Sequence, residues 1–130
     1  IDIATLTGAC MVALGHRYAG LFGNDDALMK EIEKASTETD EQVWRLPLDA
    51  DFEKAMKGEI TDLHNSEKDR YGGASKGAAF LKAFIGKTKW AHLDIAGPAY
   101  TSTPKAYEAK RGTGYGVRLF LKFLENLHAL

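Results

Sequence analysis

Two short β-leaning runs stop abruptly at small residues, and those stops constrain the fold more than any other feature of the sequence. Ile1-Asp2-Ile3-Ala4-Thr5-Leu6 gives way to Gly8 and then to an apolar run, Ala9 to Leu14, that ends at Gly15. The pattern reads as strand, turn and helix. Trp90 to Ile95 alternates large and small side chains and stops at Ala96-Gly97-Pro98, where proline lacks the amide that a central strand needs. A further strand is expected at Tyr18 to Phe22, and Asn24-Asp25-Asp26 offers side-chain oxygens to cap the helix after it. Strands that alternate with helices indicate an α/β sheet.

The helices follow from spacing. Leu28, Ile32 and Ala35 give one apolar face. Phe52, Ala55 and Met56 predict a short helix closed by Gly58 in the left-handed conformation. Ile60 to Asn65 is expected to form a brief strand. Glu67 to Gly73 is polar and glycine-ended, hence a surface loop before a helix on which Phe80, Leu81, Phe84 and Ile85 lie together, closed by Gly86. Thr101 to Gly116 is rich in small and turn-forming residues. Val117 to Leu127 is apolar on most sides, which predicts a well-buried helix. No repeat, low-complexity tract or linker interrupts the chain, so residues 1–130 are expected to form one unit with no internal boundary.

Composition bounds the function classes. With 130 residues, 45% apolar and 27% charged, the chain suits a single globular domain rather than a disordered or membrane protein. Seventeen basic against eighteen acidic residues leave a net charge of -1, which supplies no field to attract nucleic acid or anionic lipid. A lone cysteine, Cys10, excludes an internal disulfide, and no signal-like or membrane-length apolar run is present, so a reducing cytoplasmic setting is expected. The chain opens on Ile1 inside a strand-like run, which leads us to expect a front truncation, with the natural C-terminus present.

Ligands of open α/β sheets bind beyond the carboxyl ends of strands. Thr5-Leu6-Thr7-Gly8 and Ala96-Gly97-Pro98-Ala99 both occupy such positions, and both lack an acid, base or nucleophile. They suit a pocket wall, although tight turns that need small residues account for the spacing as simply. Asp62 with His64 and His92 with Asp94 form two i, i+2 pairs that strands would point to one face, a set of four that could hold zinc. Bonds to neighbouring backbone, or between acids and histidines themselves, are the simpler account. His16 and His128 are expected to be solvated. Arg111 to Gly116 lacks the lysine and hydroxyl of a phosphate cradle and reads as a flexible entry to the last helix. Thr7 and Ser75 have no paired base, and Cys10 is expected to be a packed, inert thiol.

Several separate segments, in order, resemble one family. Asp2 to Ala9 (DIATLTGA), Val43 to Leu48 (VWRLPL), Gly73 to Leu81 (GASKGAAFL), Trp90 to Gly97 (WAHLDIAG) and Gly112 to Arg118 (GTGYGVR) are similar to the C-terminal third of leucyl aminopeptidases. The resemblance spans essentially the whole chain. It implies a mixed, largely parallel sheet flanked by helices, the C-terminal portion of a metalloaminopeptidase catalytic domain. It also implies a hexameric, two-metal exopeptidase that removes N-terminal residues, leucine-like ones preferred, from peptides. Two divalent ions, zinc or manganese, would polarise the scissile carbonyl and activate a water. The family's Asn-Thr-Asp-Ala-Glu-Gly-Arg motif, which carries metal-binding carboxylates, is absent from these residues, as are its catalytic lysine and arginine. No catalytic and no metal-binding residue is therefore expected here, and none of Asp62, His64, His92 and Asp94 matches a family ligand.

Carried over by position, Leu6 matches the residue whose carbonyl meets the substrate main chain, and Gly8 the one whose amide does. Thr5, Gly8, Ala96 and Ala99 match the lining of the pocket for the N-terminal side chain, and Ser66 falls near the next pocket. Some members carry methionine in place of Ala99 and isoleucine in place of Ser66. The alternative to an enzyme is a structural or binding relative without catalysis, such as a DNA-binding member, for which the charge balance gives no support.

Overall fold

The computed structural model describes residues 1–66, 69–103 and 110–128, apart from the side chain of His128. A four-stranded sheet forms its centre, built from β1 (Asp2–Ala4), β2 (Ala19–Gly23), β3 (Val43–Arg45) and β4 (Ala91–Asp94) in the order β1-β4-β2-β3. β1 runs parallel to β4 and β2 parallel to β3, whereas β2 and β4 are antiparallel. The sheet is thus mixed, with helices against it, as expected.

The helices start where capping side chains sit. Thr7 accepts from the Cys10 amide to open α1 (Gly8–Leu14), and Gly15, at φ 67°, closes it. Asp25 accepts from Leu28 to open α2 (Asp26–Thr39). Asp49 does the same for α3 (Ala50–Ala55). Gly72 in the left-handed region precedes α4 (Gly73–Lys82). The last helix, α5 (Val117–His128), is opened by a carboxylate distant in sequence: buried Glu41 accepts from the amides of Gly116, at 3.0 Å, and Leu119, at 2.8 Å. Tyr115 adds a 2.7 Å bond from its hydroxyl to the Gln42 carbonyl, and its burial, with Glu41 nearby, pushes its own titration upward.

Two apolar clusters flank the sheet. One joins Ala19, Leu21, Ala91 and Leu93 to Ile32 and Ala35 of α2 and Leu119 and Phe123 of α5. The other, on the opposite face, joins Cys10, Phe22 and Trp90 to Ala74 and Ala78 of α4.

Several expectations are corrected. Residues 60–65 form bends with one isolated bridge, Lys57 to Leu63, instead of a strand; Ile60 is 99% exposed and has nothing to pack on. The α3 helix ends at Met56 in right-handed geometry, and Gly58 is not among the glycines with positive φ. Turns follow Lys82 up to Gly86, which leaves Phe84 exposed while its ring contacts Phe80 at 5.2 Å. The α5 helix is not buried all round: Leu119 and Phe123 enter the core, but Val117, Leu121, Leu124 and Leu127 are exposed. Apolar composition alone does not tell which face a neighbour covers. Arg111–Gly112 is a strand, β6, that pairs antiparallel with β5 (Tyr100–Thr101), so the approach to α5 is structured by strand pairing.

Candidate functional site

Because β1 and β4 are parallel neighbours, the segments that leave them emerge at the same edge of the sheet. Their meeting point is the carboxylate of Asp94, the last residue of β4, which is 0% exposed. Its Oδ1 accepts from the amides of Leu6, at 3.1 Å, and Ala96, at 3.2 Å. Its Oδ2 accepts from the amide of Thr7, at 3.1 Å, and from the Thr7 hydroxyl, at 2.6 Å. A buried carboxylate is costly unless its lone pairs are used, and four donors use them here. Thr7 then passes the connection on, since the hydroxyl oxygen that donates to Asp94 accepts from the Cys10 amide at 3.0 Å. The end of β1, the end of β4 and the start of α1 are therefore held by one side chain and its first partner.

Further contacts fix the same edge. Ala99 donates to the Ile95 carbonyl at 3.0 Å, and its own carbonyl accepts from Thr113. His16 is exposed, as expected, and also bonds through Nδ1 to the Gly97 carbonyl at 3.0 Å, which joins the turn after α1 to the turn after β4. Gly97 is needed there: a Cβ would lie 2.0 Å from the Gly15 carbonyl oxygen. Gly8 is different. It is exposed, and a Cβ would meet nothing within 4 Å, so packing within this chain gives no reason for glycine.

The residues expected to bind substrate fall into two groups. Leu6 and Ser66 line one cavity of about 310 Å³, together with Thr7, Met56, Phe80 and Leu81. Lys76 and Asp69 pair at its margin at 3.0 Å. Thr5 is exposed on the loop that leads into α1 and Gly8 is exposed as the first residue of that helix, while Ala96 and Ala99 are half-buried in the turn after β4. Asp94 joins Ala96 to Leu6 directly. The organising role of Asp94 is not legible in the sequence, because Leu6 and Thr7, which it joins to Ala96, are 88 and 87 residues away.

The zinc arrangement is not formed. His92 and Asp94 do share a sheet face, in register with Asp2, Ala4, Gly20 and Phe22. Asp62 and His64 lie in the bends outside the sheet, and among the described residues no three of His, Cys, Asp and Glu come together as a metal-holding group. His92 is buried, with its ring stacked near those of Phe22 and Trp90. Its Nδ1 donates to Asp2 at 2.5 Å, and Asp2 also accepts from Trp90 Nε1 at 2.5 Å. With the proton on Nδ1, Nε2 is an acceptor without a protein partner among the described residues. Cys10 is buried, and desolvation together with the nearby Asp94 charge pushes its thiol up to about 11. It is a packed thiol, not a nucleophile.

The sequence matches the catalytic domain of the cytosol aminopeptidase family over residues 1–121. This chain belongs to the cytosol aminopeptidase family. A probable cytosol aminopeptidase of Roseiflexus castenholzii is 51% identical over 127 residues, covering 97% of this chain and 26% of that protein. One of Cenarchaeum symbiosum is 49% identical over 128 residues, covering 96% and 26%. Among solved structures, the bottromycin maturation enzyme BotP superposes with a TM-score of 0.92 at 38% identity, over 99% of this chain and 29% of that one. The same enzyme has been solved in complex with Mn. A mutant tomato leucine aminopeptidase superposes with a TM-score of 0.86 at 39% identity, over 95% and 24%. The chain spans about a quarter of the length of the curated relatives it matches.

Family membership makes this a segment of a peptidase catalytic domain and bears on the metals. Among the described residues no group of His, Cys, Asp and Glu fits a two-metal centre, and the carboxylate of Asp94 is taken up by four protein donors. Among the described residues, no helix is long and apolar enough to cross a membrane.

Proposed function

We propose that this chain is the substrate-binding wall of an aminopeptidase that removes N-terminal, preferably leucine-like, residues from peptides. Residues 1–130 form one portion of its catalytic domain. Two divalent ions, zinc or manganese, are held by residues outside this chain, and the complete enzyme works in the cytoplasm as a homo-hexamer. The observation that carries the reading is the joining of the β1 and β4 ends at one sheet edge through Asp94. That is where a doubly covered sheet presents free backbone groups to a ligand.

What these residues do is bind and orient. The Leu6 carbonyl and the Gly8 amide meet the main chain of the peptide, and the open space in front of Gly8 leaves room for that approach. Thr5, Gly8, Ala96 and Ala99 line the pocket for the N-terminal side chain. Ser66, across the cavity it shares with Leu6, borders the pocket for the following residue. Held in this way, the scissile bond is presented to the reacting groups at a fixed distance, a contribution that needs no acid or base from this segment.

The test uses the complete polypeptide and this chain alone. The complete protein is expected to turn over a leucine chromogenic substrate and to lose that activity on chelation, whereas the 130-residue chain is expected to have none. Full activity after exhaustive chelation, with metal analysis showing empty sites, would refute the two-metal assignment. Turnover by the rigorously purified chain would refute the division of labour.

A further inference from the structure

We propose that Asp94 is a positioning residue for substrate, one that aims the Leu6 carbonyl and holds the two pocket walls in mutual register. The proposal deepens the aminopeptidase reading and rests on it. A trans peptide group is planar, so its N–H and C=O point in opposite directions, and no peptide among the described residues is cis. The Thr7 amide points at Asp94 Oδ2. The carbonyl of the same peptide group, which belongs to Leu6, is therefore directed away from the buried carboxylate. The Leu6 amide points at Oδ1 and orients the Thr5 carbonyl in the same way. Two consecutive peptide groups of the main-chain wall thus take their direction from one side chain.

The same carboxylate reaches the second wall. Oδ1, which holds Leu6, also holds the amide of Ala96, and the Ile95 carbonyl of that peptide group accepts from Ala99. Ala96 and Ala99 are the two small residues placed in the N-terminal side-chain pocket. A shift of the carboxylate would displace the main-chain contact and the side-chain pocket relative to each other, so it would change which residue is preferred as well as how fast it is removed. Ionised acceptors make shorter and stronger hydrogen bonds than neutral ones, and the Thr7 hydroxyl, donating at 2.6 Å, anchors the carboxylate to the start of α1.

Asp94→Asn separates this role from mere support. The amide that replaces one oxygen faces either the donors Leu6 N and Ala96 N, or Thr7 N and a Thr7 hydroxyl that must turn from donating to accepting. In the complete polypeptide, with metal content measured on the same preparation, kcat for a leucyl substrate is expected to fall about a hundredfold, as for a displacement of about 1 Å. The preference for leucyl over alanyl substrates, read as a ratio of kcat/KM, is expected to shrink on the order of tenfold. That ratio does not depend on the folded fraction, so a purely structural role would leave it unchanged. Should Asp94→Asn fail to fold, Thr7→Val removes the hydroxyl that both bonds Asp94 and caps α1, and Thr7→Ser restores it. The valine variant is then expected to shift the ratio in the same direction, and the serine variant to return it to the wild-type value. A wild-type ratio in Thr7→Val, or in a folded Asp94→Asn, overturns the positioning role while leaving the aminopeptidase reading intact. Absence of leucyl turnover by the metal-loaded wild-type polypeptide refutes the aminopeptidase reading itself, and this role with it.

Discussion

On one face of the sheet, Ala19, Leu21, Ala91 and Leu93 meet α2 and α5 in an apolar cluster, bordered by buried Ser36 and Glu41, which accept from the Val43 and Leu119 amides. On the other, Phe22 and Cys10 share the surface with Asp2, His92 and Asp94, and two of those polar groups are fully buried. Burial on the first face is non-directional, and its free energy follows the area removed from water. Directional bonds rule the second face, where each donor has a definite acceptor and a small displacement leaves a buried group unpaired. Stability is concentrated where contacts tolerate adjustment, and orientation where they do not. Within the second face the glycines differ with depth: a Cβ at Gly20 would come within 2.8 Å of Cys10 Sγ, whereas one at Gly8, at the rim, would touch nothing.

Substitution can break or sharpen this contrast. The largest expected change in stability comes from Leu93→Ala, which truncates a side chain with no exposed area at the centre of the apolar face. A loss of about 2–5 kcal/mol is expected by denaturant titration of the complete polypeptide. The activity of each folded molecule should persist, and a specific loss of turnover at retained stability would erase the distinction between the faces.

Gly8→Val tests the rim of the polar face. With nothing within 4 Å of its Cβ position, stability is expected to stay within about 0.5 kcal/mol of wild type. Turnover should fall about a hundredfold as the substrate is pushed back. Kinetics, thermal unfolding and metal analysis on one preparation check this. Wild-type kinetics in a folded protein would remove Thr5 to Gly8 from the pocket wall.

The smallest effect belongs to Cys10. Its thiol is held up to about 11, above its ordinary value of 9.0, so the folded state favours the protonated form. Its contribution to stability is fully present below about pH 9, where the unfolded thiol is still protonated, and is lost as pH rises toward the folded value. Thiol-directed reagents at pH 8 are expected to label it only after denaturation. Rapid labelling of the folded protein would mean that the polar face opens readily.

Much of the fold was legible because its signals are local. Thr7 and Asp25 cap the helices that follow them, Gly15 and Gly86 take positive φ where glycine was expected to end a helix, and Pro98 lies beyond a strand end. Where local signals were ambiguous, expectation and structure part. Ile60 to Asn65 has strand-like residues but no long neighbouring strand to pair with, only the single bridge at Leu63. Gly58 follows α3 yet plays no left-handed role in ending it. The apolar content of α5 predicted burial, but only the side that meets α2 and the sheet is covered.

The sequence by itself determined the alternation of strands and helices, the small-residue stops after β1 and β4, and, through several motifs in register, the family. Each of these depends on residues within about one helical turn of one another or on the order of segments along the chain, and both are explicit in a linear text. Tertiary structure alone decided that β2 runs antiparallel to β4, that Glu41 caps α5 from 75 residues away, and that Asp94 joins the ends of β1 and β4. The physical reason lies in the bonds themselves. A carboxylate takes whatever donors the packed sheet brings within about 3 Å, and its position in the sequence holds no record of which donors those will be.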